Sequence, residues 1–354
     1  MAVCLSTLFL LESGADKFID HSAIVARRTG IPETIVGLVT AGGEWEELIV
    51  IIASLARGRA SLALGNIVGS AISNILGAFS LGLFARGGGD QAMKFDQSAR
   101  IYSLVLLVLS TLILPVVYVP TKETTRIVVG GLLIASFGVY LVSVGWAISR
   151  GTLTAPEDSD SEDGHDSSGD ESSDGEGPAP VSNAPSSSTP LLAGANRRKR
   201  HTLGYHISYL IFGFLAICLA GYVLAHAATT LIDEIGMSDV LFGLVILSIA
   251  TTLPEKFVAV MSGRRGNTGV LVVNTAGSNI FLLTLCLGIV MIDTNGPFAH
   301  QSVNLVELAV LWASTLAFTA TIWFGARLDR WIGCAMIAAY MAFIFMEFTV
   351  IHKV

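Results

Sequence analysis

Two short stretches of this 354-residue chain set acids, amides and hydroxyls among apolar neighbours. One reads GlyGlyGluTrpGluGlu at 42–47, the other AlaThrThrLeuProGlu at 250–255. Each is followed, after a short turn, by a helix start rich in small and amide residues: GlyAsnIleValGlySer at 65–70 and ValAsnThrAlaGlySer at 273–278. Asn66, Ser70 and Asn74 fall at i, i+4 and i+8 and so share one helical face; Asn274 and Ser278 repeat the first step, with Asn279 beside them. Gly65 and Gly69 form a small-xxx-small pair that lets two backbones approach. Pro254 lacks an N–H and frees a carbonyl one turn earlier. Carboxylates (Glu47 and Glu255), amide oxygens, hydroxyls and freed carbonyls make a hard, oxygen-only ligand set. That set suits Ca²⁺, which takes roughly six to eight oxygens at about 2.3–2.6 Å. It does not suit softer metals, because no thiolate or imidazole accompanies it. Cys4, Cys218, Cys286 and Cys334 are irregularly spaced in apolar sequence and read as packing residues.

The elements that must hold these groups are membrane spans. The chain is 52% hydrophobic and only 14% charged, against roughly a quarter charged in ordinary soluble domains. That composition excludes a soluble enzyme, a nucleic-acid binder and a disulfide scaffold. A bilayer core needs roughly 20 apolar residues per helix. Ten stretches qualify, at about 2–26, 31–55, 62–84, 100–120, 127–149, 204–231, 239–261, 269–292, 301–324 and 330–351, so the expected fold is an all-α membrane protein with ten transmembrane helices. An acid at the centre of such a span costs roughly 2.5–3.5 kcal/mol on insertion scales and persists when it pairs, meets water or binds a cation. Lys256 follows Glu255, but adjacent helical residues point about 100° apart, which disfavours a direct pair. Fourteen basic residues lie in the odd-numbered loops and five in the even loops and C-terminus, placing the odd loops in the cytosol and both termini outside or in a lumen.

Residues 151–200 break the pattern. They hold ten of the 28 acids and four of the 21 bases, with Ser and Pro between, and end in ArgArgLysArg. Such a segment cannot bury enough apolar surface to fold and reads as a disordered cytosolic linker. Ser159 and Ser161, set among acids, are candidate regulatory positions. The linker divides the spans five and five, giving 1–150 and 201–354 as two repeats. Residues 42–78 align with 250–286 at an offset of 208, pairing Glu47 with Glu255, Gly58 with Gly266, Asn66 with Asn274 and Ser70 with Ser278. An odd number of spans per half makes the repeats inverted, an architecture of secondary transporters with the site at mid-membrane.

At these residues the chain resembles the calcium/cation antiporter superfamily, which includes the sodium/calcium exchangers. The family's Gly-Thr-Ser-x-Pro-Glu and Gly-Asn-x-x-Gly-Ser-Asn-x-Phe-Asn segments are matched by Thr251, Thr252, Pro254 and Glu255, then Asn274, Gly277, Ser278, Asn279 and Phe281. The first half matches through Glu47, Gly65, Asn66, Gly69, Ser70 and Asn74, and GlyAlaAspLysPheIleAsp at 14–20 is similar to the family's first helix. The resemblance implies a ten-helix exchanger working by alternating access, with the first and sixth helices sliding past the site. It implies Glu47 and Glu255 as Ca²⁺-bridging carboxylates, and Thr251, Thr252, Ser278 and Asn279 as counter-ion or secondary ligands. The first repeat departs from the family. Its acid run is GlyGlyGluTrpGluGlu, Ala71 and Ser73 stand where Asn and Phe are usual, and Glu44 lies one turn before Glu47, able to replace or supplement it.

The expected function is secondary active antiport of Ca²⁺ against Na⁺ or H⁺, in a plasma, vacuolar or other organellar membrane. Inorganic cations and the lipid bilayer are the partners; there is no cofactor and no nucleic acid. Rival readings are transport of another divalent cation and a non-transporting membrane scaffold or sensor. No GlyxSerxGly or HisGluxxHis motif supports an enzyme.

Overall fold

The computed structural model describes residues 2–29, 44–86, 95–119, 122–150, 203–293, 303–324 and 329–351. Every element in it is helical. In chain order these are α1 (Ala2–Thr29), α2 (Trp45–Ala56), α3 (Ala60–Phe84), α4 (Gln97–Tyr118), α5 (Glu123–Ser149), α6 (Leu203–Ile235), α7 (Asp239–Thr251), α8 (Leu253–Arg265), α9 (Thr268–Asp293), α10 (Leu305–Phe324) and α11 (Asp329–Met346, continued by a π-helical turn Glu347–Ile351). Among the described residues, seven helices are long and apolar enough to cross a membrane, and the bent pair α7–α8 makes an eighth. The protein is an integral, multi-pass membrane protein.

The centre of the molecule is built from α3, α7 and α9. Both α3 and α9 are buried along nearly their whole length. The Gly65–Gly69 spacing permits the crossing of α3 on α7. A Cβ at Gly65 would sit 2.6 Å from the Val240 carbonyl oxygen, and one at Gly69 would press still closer on Leu244. Only glycine admits backbone-to-backbone packing of this kind. Each of these three helices widens into a π-helical stretch: Ser73–Phe79 in α3, Phe242–Leu247 in α7 and Leu282–Cys286 in α9. π-turns inside longer helices are frequent at functional sites, because the extra residue re-aims side chains.

Outer helices cover this centre. α10 packs on α4, α5 on the end of α9, and α11 on the end of α3. Their outward faces expose large apolar side chains, among them Leu112, Val139, Val142 and Phe345, as lipid contact requires. α1 and α6 lie along each other. They share with α2, α3 and α7 a second apolar cluster that includes Leu11, Ala15, Ile217, Leu224, Val50 and Leu247.

Two sequence expectations change here. The first span is a 28-residue helix but is not among those apolar enough to cross unaided. Its second half carries Asp16, Lys17, Asp20, Arg27 and Arg28. Of the second span only α2 is described. The seventh is not straight: α7 and α8 meet at 49° around Thr252. Pro254 sits in the first turn of α8, where its missing N–H costs nothing, while it bars continuation of α7. The linker 151–200, with Ser159 and Ser161, lies outside the described residues, as do Gly42 and Gly43 of the first acid run and the side chains of Asp16 and Asp20.

Candidate functional site

The α7–α8 break, the start of α2 and the middles of α3 and α9 meet in one buried polar cluster. Glu47, in the first turn of α2, is fully buried. Its carboxylate accepts from three donors. Ser70 Oγ lies at 2.7 Å and Thr251 Oγ1 at 2.6 Å, both on Oε1, while Asn66 Nδ2 donates to Oε2. Asn66 and Ser70 come from the shared face of α3, as their i, i+4 spacing requires. Thr251 comes from the last turn of α7, on the other half of the sequence. Satisfying its oxygens in this way offsets much of the cost of burying a carboxylate.

Glu44 caps α2 rather than forming part of it, with ψ at 65°. It therefore does not lie one helical turn before Glu47 on the same face. It is buried and turned to a different set of partners. Asn74 Nδ2 stands 3.5 Å from its Oε1, and its carboxyl also interacts with the Ser278 hydroxyl and with Glu255. Glu44 thus joins the cluster through partners of its own. Glu255, in the first turn of α8, is half-buried, and its Oε2 is a buried atom with no hydrogen-bond partner. Glu44, Glu46 and Glu47 all act on it electrostatically.

Amides tie the two central helices together. Asn74 Nδ2 donates to Asn279 Oδ1 at 3.2 Å, and Asn279 Nδ2 donates to the Ala71 carbonyl at 3.0 Å. The outward oxygens Asn66 Oδ1 and Asn74 Oδ1 are buried without a partner. With Glu255 Oε2 they are three orphaned oxygen acceptors in one cluster, the condition a hard cation relieves. Among the described residues no three His, Cys, Asp or Glu side chains converge closely enough to hold a metal by themselves. A cation here must draw on amide, hydroxyl and carbonyl oxygens as well.

Of the eleven residues singled out by sequence, Glu44, Glu47, Asn66, Ser70, Asn74, Thr251, Ser278 and Asn279 are buried in the cluster, and Glu255 borders it. Thr252 is buried too, but its hydroxyl and carbonyl serve Lys256, and its proton goes to the Ser248 carbonyl at 2.5 Å. Asn274 is half-buried on α9 and makes no hydrogen bond to the cluster among the described residues. Ser73, Lys256 and Tyr340 belong to the network although the motifs do not point to them: Lys256 Nζ and Tyr340 OH both donate to Ser73 Oγ. Ser73 showed only as a departure from the family pattern, and Tyr340 gave no signal. A cleft lined by Leu11 and Glu12 of α1, Glu46 of α2, and Thr251 and Pro254 at the bend shares Thr251 with the cluster.

The sequence profile of the sodium/calcium exchanger protein family matches residues 1–146 and 205–349, leaving out the acidic linker. The CaxA protein of Alkalimonas amylolytica, which carries an antiporter name, is 25% identical over 347 residues, 97% of this chain and 96% of its own. The inner membrane protein YrbG of Escherichia coli strain K12 is 25% identical over 331 residues, 91% and 88% of the two chains. In fold, the chain is similar to the sodium-calcium exchanger NCX_Mj, with a TM-score of 0.58 at 20% identity over 97% of both chains. It is likewise similar to native YfkE, with a TM-score of 0.66 at 15% identity over 98% and 91%. With its polar cluster built from both matched stretches, this chain belongs to the sodium/calcium exchanger family.

Proposed function

We propose that this protein is a secondary antiporter that carries Ca²⁺ across a membrane in exchange for Na⁺ or H⁺. The observation that carries the reading is the acid cluster itself. Glu44, Glu47 and Glu255 are gathered from both halves of the chain among oxygen donors, with three acceptor oxygens left unpartnered. Carboxylates side by side in a low-dielectric interior cannot all stay ionised without cations. They hold Ca²⁺, or lighter cations in its place, and exchange follows because the occupancies exclude one another. Glu47, Glu255 and Glu44 are the charged ligands; Asn66, Ser70, Asn74, Thr251, Ser278 and Asn279 supply neutral oxygens and orient the acids.

The carrier is read as two inverted five-helix repeats. Gly58 and Gly266, 208 residues apart, both end their helices in left-handed turns, at φ of 71° and 74°. The π-helical stretches of α3 and α9 are centred at the same offset, and Ala71 and Asn279, which bond to each other, also lie 208 residues apart. α1 and α6 lie along each other on an apolar cluster separate from the main core, and α1 lines the cleft, which supports their sliding as the alternating-access step. The basic-residue bias supports cytosolic odd loops, a cytosolic linker and both termini outside or in a lumen.

The test is ⁴⁵Ca²⁺ uptake by proteoliposomes of the full chain under an imposed outward Na⁺ gradient and, separately, an outward H⁺ gradient. One of the two drives uptake above the no-gradient control, and a competing divalent ion such as Mn²⁺ or Zn²⁺ inhibits less than unlabelled Ca²⁺. Absence of gradient-driven uptake in both arms refutes antiport. Deleting residues 155–195 leaves the uptake within about twofold, because none of the proposed ligands lies in that segment.

A further inference from the structure

Lys256 follows Glu255 directly, yet its ammonium turns away to neutral oxygens. Nζ donates to Ser73 Oγ at 2.9 Å, to the Thr252 carbonyl at 3.1 Å and to Thr252 Oγ1 at 2.5 Å. We infer that Lys256 is a resident monovalent cation of the transport site, standing in for one exchanged counter-ion and so setting the net charge moved per cycle. This inference rests on the antiport reading above.

The proton directions around it are forced. Tyr340 OH donates to Ser73 Oγ at 3.0 Å, and Thr252 Oγ1 gives its proton to the Ser248 carbonyl. The proton of Ser73 therefore goes to Thr252 Oγ1, 3.0 Å away. Every hydroxyl proton is then spent, and both hydroxyl oxygens and the carbonyl present lone pairs to one positive charge. Hydroxyl and carbonyl oxygens arranged this way are what replaces the hydration shell of a bare monovalent ion. The fit extends to the stem: a Cβ at Gly77 would stand 3.2 Å from Lys256 Cε, so α3 leaves the channel a lysine side chain needs.

The charge count gives the consequence. The ammonium acts electrostatically on Glu255, Glu47 and Glu44. Those three carboxylates with one ammonium carry about −2, which one Ca²⁺ or about two monovalent cations cancel. Without the ammonium the balance is about −3, and the monovalent load rises to about three per Ca²⁺. Glu46 stands outside this count, half-buried on the wall of the cleft. The native chain is thus an electroneutral exchanger, and a neutral residue of similar length at 256 makes it electrogenic.

The experiment is gradient-driven ⁴⁵Ca²⁺ uptake into proteoliposomes with and without an inside-negative K⁺ diffusion potential set by valinomycin. The native chain takes up Ca²⁺ at the same rate in both conditions, and K256M changes several-fold with the potential. If native chain and K256M respond alike to the potential, the assignment of Lys256 falls while antiport stands. Should K256M transport too slowly to compare, displacement of bound ⁴⁵Ca²⁺ by the driving cation from purified protein gives the same reading. The Hill coefficient of displacement is about two for the native chain and about three for K256M, and equal coefficients overturn the inference. A native chain with no gradient-driven uptake refutes antiport itself, a result visible before any variant is compared.

Discussion

Glu47 and Glu255 occupy matching positions 208 residues apart, each in the first turn of a short helix, and end in unlike surroundings. Glu47 is sealed, with three donors on its two oxygens. Glu255 keeps a buried oxygen with no donor and faces another acid, Glu44. The difference traces to residues that break the repeat. Position 44 is an acid where its counterpart 252 is Thr, and position 256 is Lys where its counterpart 48 is Leu. Matching sequence positions therefore carry an asymmetric charge layout. One carboxylate is preorganised by neutral neighbours, and the other keeps an oxygen without a donor. Preorganisation matters because every group that must be ordered on binding subtracts from affinity.

The sharpest way to break this contrast is to neutralise each acid alone. In E47Q a carboxamide NH₂ replaces one acceptor, so at least one of Asn66, Ser70 and Thr251 loses its partner in a buried site, besides the lost charge. An unsatisfied buried group costs about 1–3 kcal/mol, more for charged partners, so Ca²⁺ affinity of the purified chain falls about 100-fold or more. E255Q loses the charge but orphans no donor, and its affinity falls about tenfold. Equal losses in the two variants, measured by equilibrium ⁴⁵Ca²⁺ binding, would show that the sealed and open acids are energetically the same.

Much of this was legible in sequence because the signals are local. The i, i+4 face of Asn66 and Ser70 and the Gly65–Gly69 spacing each act within a turn or two of the chain, and the structure uses both; Pro254 was read only as freeing a carbonyl, and the 49° bend beside it was not anticipated. The polar second half of α1 was visible in the same way and explains why that helix falls short of the apolar length a lone span needs. Glu44 was misjudged in its placement, because helical periodicity was extended through a residue that is a non-helical cap. Lys256, Ser73 and Tyr340 could not be assembled from spacing at all. They lie on α8, α3 and α11, and their contact depends on how three distant helices pack.

A milder pair of substitutions sharpens the comparison further, because it asks whether matching amides do matching work. Asn66 and Asn274 are equivalent in the repeat, yet only Asn66 donates to an acid. In N66A, Glu47 retains Ser70 and Thr251, so the carboxylate is weakened rather than abandoned. The loss of one charge-assisted hydrogen bond, about 1.5 kcal/mol at the low end, lowers Ca²⁺ affinity about tenfold. N274A removes a half-buried side chain that bonds to nothing in the cluster, and affinity stays within about twofold. If N274A matched N66A, Asn274 would have to swing onto Glu255 when the ion binds. The open half would then close as the sealed half already has, and the asymmetry would belong to one state of the transport cycle instead of to the sequence.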